Sequence, residues 1–397
     1  MASKRVAIIG GGMAGLACAT CLERGNADLD VVLYEAEDRV GGRVKTDIVD
    51  GFVLDRGFQV HLTAYPEARQ LLDHDKLGLR AFIPGANVRL GKSWTTVADP
   101  LRAPSKLFAT ALSPVATFRD KLALAELWKW CKTRDVETLM SEPTGSTADF
   151  LRKFGMSDTV IERFFRPFYG GIFLERELST SAKKFAFTFR MFSDGEATLP
   201  AGGIEAIPRQ LAKRLRRTDI RLGQHIDDPT TLDADAVVHA VPDETVADWH
   251  GTSVWYFAAD ASPIAEPMLA LDGSDTGPIN NLCVPTDVQP GLSADRRALI
   301  SATTVGVHED EAPLRAQLRQ WFGDATDDWT MIRAVHVHQA LPAQPDERMT
   351  PVHKPPRRAD GTYACGDTHD TASLNGALAS GRRAAEAVLH DLNGGDT

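Results

Sequence analysis

The stretch Val6-Ala7-Ile8-Ile9-Gly10-Gly11-Gly12-Met13-Ala14-Gly15, closed by Glu35, decides the fold of this chain. Residues 6–9 are a short apolar run of strand type. Gly-x-Gly-x-x-Gly follows at once, at Gly10, Gly12 and Gly15. An alanine-rich helical stretch occupies residues 16–24, and a second strand at 29–34 ends on Glu35. Strand, glycine loop, helix, strand and acid is the order of a dinucleotide-binding unit, and the acid stands twenty residues past Gly15 as such a unit requires. Gly10 permits the tight turn, Gly12 lets a pyrophosphate approach the backbone, and Gly15 lets the helix pack on the strand. Met13 and Ala14, within the motif, are taken as cofactor-binding too, and the start of the helix, with unpaired N–H groups and a positive dipole end, favours phosphate. Glu35 is placed to accept hydrogen bonds from ribose hydroxyls. It would repel a 2′-phosphate, which disfavours NADP.

The next residues select among dinucleotides. Ala36-Glu37-Asp38-Arg39-Val40-Gly41-Gly42-Arg43 puts a Gly-Gly-Arg turn just past the acid. A nicotinamide-binding unit has no use for that turn. The run resembles the FAD-binding signature of the flavin amine oxidase, phytoene desaturase and protoporphyrinogen oxidase superfamily. By that resemblance Ala36, Gly41 and Gly42 lie at the cofactor, and Arg43 supplies a permanent cation near the diphosphate. The far end of the chain carries the other half of the signature: Gly366-Asp367, then Thr371-Ala372-Ser373-Leu374-Asn375-Gly376-Ala377 opening a small-residue helix. The resemblance implies that Asp367 bonds the ribityl chain. It also implies that the helix start at Leu374, Asn375 and Ala377 points at the isoalloxazine, where a helix dipole stabilises a reduced flavin.

Two internal segments agree. Leu199-Pro200-Ala201-Gly202-Gly203 precedes a basic helix at 209–217, similar to a turn of the same family. Strands are expected at 220–226 and 236–241, and the family's adenine contact then falls near Ile226. Leu54-Asp55-Arg56-Gly57-Phe58-Gln59-Val60-His61 matches the family segment beside the flavin, which brings Gly57, Phe58 and Gln59 to the cofactor. No cysteine stands where a covalent flavin link would need one, so FAD is expected to be held non-covalently.

The chain has 397 residues, net charge −10, 25% charged and 43% hydrophobic residues. This is ordinary for a soluble globular protein and disfavours nucleic acid as a partner. No apolar run is long enough to span a bilayer. Entry into a strand at Val6 leaves no room for a signal peptide, and five scattered cysteines suit a reducing compartment, so the expected location is cytoplasmic. Cys18 and Cys21 sit on a helix that must pack under the sheet and read as small apolar residues. His336-Val337-His338 lacks a third ligand nearby and reads as strand, so no metal site is expected.

The expected fold class is α/β: a Rossmann-like FAD-binding domain interleaved with an α+β substrate-binding domain. The first takes residues 1–80, 196–250 and 333–397; the second takes 81–195 and 251–332. Hairpins are expected at 47–55 and 88–97, with Asp50-Gly51 as a turn signal in the first. Residues 107–133 read as mostly helical, 148–173 as two helices broken near Gly155, and 254–258, 299–304 and 330–337 as strands.

Eight of the 17 phenylalanines fall between Phe164 and Phe192. Most of these rings read as core. Phe168 and Tyr169, beside Gly170-Gly171, are candidates to face a hydrophobic substrate. Phe185, Phe187 and Phe189 alternate as in a half-buried strand. Gln59 and His61 are candidates near the flavin, His61 as a proton acceptor, against the blander reading of a core histidine. Many amine oxidases place a lysine in the substrate-domain sheet, but this chain has no lysine between Lys213 and Lys354. It also has Ser373-Leu374 where amine oxidases often have an aromatic wall. The resemblance therefore favours desaturase-like removal of hydride from a hydrophobic small molecule. An O₂-using amine oxidase, a redox-neutral flavin isomerase and a non-catalytic flavoprotein stand as alternatives. Residues 101–130 mix apolar side chains with Arg102, Lys106, Arg119, Lys121 and Lys129. They read either as a weak peripheral membrane contact or as helix packed on its own domain. The oligomeric state is left open.

Overall fold

In the computed structural model, which describes residues 3–242 and 246–394, the glycine motif sits on the central strand of a five-stranded parallel sheet. The strand order is Asp219–Arg221, Asp30–Tyr34, Arg5–Ile9, Ala236–His239 and Tyr363–Ala364. After the exposed Arg5, this strand is apolar without alternation from Val6 to Ile9 because both of its faces are covered, and Val6 and Ile8 are wholly buried. The chain is thus α/β, with the Rossmann-like sheet that the motif implies.

Helix Met13–Gly25 crosses one face of this sheet, and the 19-residue helix Leu374–Leu392 lies against it. Small residues set their separation. A β-carbon on Gly381 would lie 2.2 Å from the Ala14 carbonyl oxygen, so no other residue fits there without moving a helix.

A second sheet has seven strands. Their order is Thr330–Pro342, Trp249–Ala259, Ala298–Val305, Ile279–Cys283, Leu269–Asp272, Gly85–Leu90 and Ser93–Ala98. All neighbours are antiparallel except Leu269–Asp272 with Gly85–Leu90. Helix Glu311–Phe322 packs Leu314, Leu318 and Trp321 into a core with Trp255 and Phe257 of this sheet. Both hairpins form. Thr46–Val49 pairs with Phe52–Asp55 through Asp50 and Gly51, which both take positive φ as a tight two-residue turn demands. The 107–133 segment is two helices, Leu107–Leu112 and Phe118–Thr133, the second opened by a Thr117–Asp120 capping box. No helix of the described residues is long and apolar enough to cross a membrane.

Two local expectations fail. Residues 185–189 are not a strand but part of helix Ala182–Asp194, capped by the Ser181 hydroxyl. The helix is wedged between two cores, and this explains the misleading alternation. Phe185 packs against Tyr169 and Phe165 on one side, while Phe187 stacks on Tyr65 on the other, with centroids 6.1 Å apart. Apolar side chains on opposite faces of a helix imitate a period of two over a few residues. The strand expected at 220–226 stops at Arg221. Gly223 and Gln224 leave the ladder and donate to the carbonyls of Glu37 and Glu35 instead.

Phe187 is therefore a core residue joining the two halves of the molecule. Phe187→Ala should cost about 3–5 kcal/mol. Phe118→Ala, at a side chain 76% exposed, should change stability by no more than about 0.5 kcal/mol. Urea unfolding of both variants checks this; equal costs would contradict the packing.

Candidate active site

A cavity of about 2210 Å³ runs from the C-terminal ends of the parallel strands to the seven-stranded sheet. Open α/β sheets bind ligands at those strand ends. The volume exceeds the roughly 300–1,000 Å³ of a single small-ligand site, which leaves room for a dinucleotide and a second molecule.

At the strand end of the cavity the glycines divide the labour. Gly10 takes φ +108°, and a β-carbon on Gly15 would lie 2.0 Å from the Gly10 carbonyl oxygen, so these two close the turn onto the helix. A β-carbon on Gly12 would meet nothing within 4 Å, because that face opens into the cavity. Helix Met13–Gly25 has neither a capping side chain nor an acid in its first turn. Its first N–H groups therefore remain for an anion. Met13 and Ala14 line the cavity and Gly15 lies beneath it.

Glu35 is 8% exposed and lines the same end. One carboxylate oxygen accepts from Gly11 N at 2.7 Å and the other from Glu37 N at 2.9 Å. A carboxylate has about four acceptor positions, so it braces the loop and still has capacity for a ligand. Ala36 and Ile226 line the cavity nearby.

The two distant motifs meet at one ion pair. Arg43 Nη2 lies 2.6 Å from Asp367 Oδ1, Nη1 donates to the Ala340 carbonyl at 2.9 Å, and the guanidinium lies over Trp249. Gln59 Nε2 donates to the carbonyls of Arg43 and Arg56 at 3.1 and 3.2 Å. Gly41, Gly42, Gly57, Phe58, Gln59 and Gly366 all line the cavity, and Gly57 opens to it as Gly12 does. Leu374 and Ala377 line it from the C-terminal helix, whose N-terminus is capped by the Ser373 hydroxyl accepting from Gly376 N at 3.0 Å. An uncapped helix start, two glycine faces free of protein atoms, and a carboxylate with spare acceptor sites suit a flavin dinucleotide.

Two sequence candidates point elsewhere. His61 has no exposed surface and does not line the cavity. Its Nε2 lies 3.2 Å from His74 Nε2. Burial, with a smaller push from His74, lowers its pKa to about 4, so it is neutral at pH 7 and is a core histidine. Gln59 lies in the irregular segment before the short strand His61–Leu62 and lines the cavity, whereas His61 belongs to that strand and does not. Asn375 is also turned away: its Oδ1 accepts from Glu67 N at 3.0 Å, at the start of helix Pro66–Leu71.

Phe168 and Tyr169 both line the cavity. Phe168 stacks on Phe164, with centroids 5.5 Å apart, and is half-buried. Tyr169 is 3% exposed, and burial pushes its hydroxyl pKa well above the ordinary value; it serves core and wall together. From the seven-stranded sheet come Thr252 and His336, whose Nδ1 lies 2.8 Å from the Ser253 hydroxyl. Lys184, 3% exposed, enters from helix Ala182–Asp194. No motif marks it. Burial lowers its pKa to about 8, opposed by the charges of Asp367 and Glu175.

The chain is similar to known proteins in sequence and in fold. Residues 13–307 match the model of the family described as flavin containing amine oxidoreductase. Protoporphyrinogen oxidase 2 of Arabidopsis thaliana is 30% identical over 172 residues, 43% of this chain and 33% of that protein. Coproporphyrinogen III oxidase of Bacillus subtilis is 25% identical over 299 residues, 62% of this chain and 61% of that protein. The matched stretches thus span between a third and three-fifths of these curated relatives. Cyclohexylamine oxidase of Brevibacterium oxydans shares the fold, with a TM-score of 0.71 over 98% of this chain and 100% of that one, at 16% identity.

Gly12 offers a clean test of the cofactor end. Gly12→Val should fold, because no protein atom occupies that space, yet purify without flavin. Glu35→Ala should weaken FAD binding by roughly 1.5–3 kcal/mol through lost charge-assisted hydrogen bonds. Titration of the apoproteins with FAD, followed by flavin fluorescence, checks both. Full flavin content in both variants would show that the loop does not hold the cofactor.

Proposed function

Because the chain belongs to the flavin containing amine oxidoreductase family, we propose that it is an FAD-dependent dehydrogenase of a lipophilic small molecule. FAD would be held without a covalent bond. Gly12, Met13, Ala14 and Glu35 would hold its adenosine and pyrophosphate end, with Arg43 and Asp367 further along and the start of helix Leu374–Leu392 at the ring. When bound, FAD supplies the hydride acceptor, and the protein supplies orientation and exclusion of water. Non-covalent binding is supported by the cysteines, none of which lines the cavity among the described residues.

The observation that carries the substrate reading is the aromatic wall. Phe164, Phe168, Tyr169, Phe189 and Phe192 line the cavity beyond the cofactor end, and such a wall takes apolar surface out of water. Three features speak against a protonated amine. Strand Trp249–Ala259 presents Thr252 rather than a lysine. Ser373 and Leu374 stand where an aromatic cage wall would be. The buried cation of Lys184 opposes a second positive charge. Two of the relatives are named as oxidases of porphyrinogens rather than of amines.

The same reading extends to substrate delivery. Eight large apolar side chains from Leu101 to Trp128 are exposed, among them Leu101 at 80%, Phe108 at 79%, Leu112 at 75% and Phe118 at 76%. Leu101, Leu107, Leu124 and Trp128 also line the cavity, so its opening lies within this patch. The exposed cations Arg102, Arg119 and Lys129 stand among them against a single exposed acid, Glu126, although the whole chain is acidic. An apolar rim with local positive charge fits the surface of an anionic bilayer. A second copy seated there would cover the opening and bring like charges together.

Two measurements test these readings. In anaerobic stopped-flow, small mono- and polyamines should reduce the flavin slowly or not at all, and a lipophilic polyene should reduce it faster; rapid reduction by a small primary amine would overturn the assignment. In flotation, the protein should rise with vesicles of phosphatidylcholine and phosphatidylglycerol, and the double variant Phe108→Asp, Leu112→Asp should stay at the bottom. A wild-type protein that does not float would remove the membrane contact.

A further inference from the structure

Four cations are buried among the described residues: Lys45, Arg89, Lys183 and Lys184. Three have an oxygen partner. Lys45 pairs with Glu37, and Arg89 donates to the Gln320 carbonyl at 3.0 Å. Lys183 donates to Asp346 at 3.1 Å and to the Thr350 hydroxyl at 2.5 Å. Lys184 makes no hydrogen bond or ion pair among the described residues; its ammonium lies 5.2 Å from the centre of the Phe173 ring. Successive side chains on a helix diverge by about 100°, so adjacent lysines face different surroundings. Lys183 meets a carboxylate, and Lys184 lines the cavity.

The charged groups that bear on Lys184 come from other parts of the chain, and the two carboxylates among them are engaged with other partners. Glu175 accepts from Thr180 N at 2.6 Å and from the Ser179 hydroxyl. Asp367 accepts from Arg43 at 2.6 Å. His250, on the neighbouring sheet, has its pKa lowered chiefly by burial. A buried ammonium without an acceptor is costly, and the cost falls when a ligand brings an anionic oxygen into the same low-dielectric space.

We propose that Lys184 is the anchor for a carboxylate on the lipophilic substrate, so that the molecule oxidised is an amphipathic acid. This rests on the lipophilic-substrate reading above and adds to it one charged group at a stated residue. The acid end meets the ammonium, and the apolar body lies along Phe168 and Phe189. The flavin is the other source of an electronegative oxygen in this cavity, and the experiment separates the two.

The probes are oleate and its uncharged methyl ester, titrated into the FAD-loaded protein and read by calorimetry and by perturbation of the flavin absorbance. Oleate should bind about tenfold more tightly than the ester. Lys184→Met, which keeps an unbranched side chain in the same space, should bring oleate down to the level of the ester with FAD content and spectrum unchanged. Lys184→Arg should restore the preference for the acid. Equal binding of acid and ester to the wild type would overturn the anchor while leaving the lipophilic cavity intact. Loss of FAD or a shifted flavin spectrum in Lys184→Met would assign the ammonium to the cofactor and overturn the anchor too. Failure of both probes to bind the wild type would reject the lipophilic cavity itself, and the anchor with it.

Discussion

The whole arrangement depends on how closely two helices can approach. At Gly381 a side chain would collide with the carbonyl of Ala14, and Ala17 lies beside it. Glycine at this crossing lets helix Leu374–Leu392 settle against Met13–Gly25, burying Ala384, Ala385 and Val388. Both helices begin at the cavity. Their contact therefore fixes the distance between the phosphate-binding end and the end expected to meet the ring. The Arg43–Asp367 pair ties the same two segments together at the cavity wall. A larger residue at 381 would change the length of the site, not merely its stability.

The cavity is built from two kinds of chemistry kept apart. At the strand ends the polar groups are backbone N–H groups and acids already braced by the fold, such as Glu35. Farther in, the lining is aromatic, and polar side chains enter singly from the sheet or from helix Ala182–Asp194. That helix is the hinge of the design. One side belongs to the core under the parallel sheet through Phe187, and another to the aromatic cluster through Phe185. Lys184 emerges between them into the cavity. A charge in that position meets little competing water, so any ligand oxygen that reaches it is held strongly.

Much of this was legible in the chain because it depends on local chemistry. The glycine spacing, the acid after the second strand, Gly-Gly-Arg and the Gly-Asp pair each impose a backbone geometry or place a charge within a few residues. They specified the sheet, the helix and the hairpin at Asp50-Gly51, and the resemblance to the family was carried by the same residues. The faces of individual side chains were not legible. Gln59 and His61 stand two residues apart and would share a face on a strand, yet the strand begins only at His61, which goes into the core beside His74. Asn375 lies inside the C-terminal motif, yet its amide caps a helix more than 300 residues away in sequence.

The sequence by itself determined the cofactor-binding scaffold, because turns, helix starts and buried strands are written in short-range patterns of glycine, β-branched residues and acids. Only the tertiary structure decided which groups face the cavity. Whether Phe185 to Phe189 form a strand or a helix was settled by two cores closing on the segment from opposite sides. Which of Lys183 and Lys184 finds a carboxylate was settled by a rotation of one residue along a helix and by the place of Asp346 far along the chain. Such choices come from long-range contacts that no local pattern records.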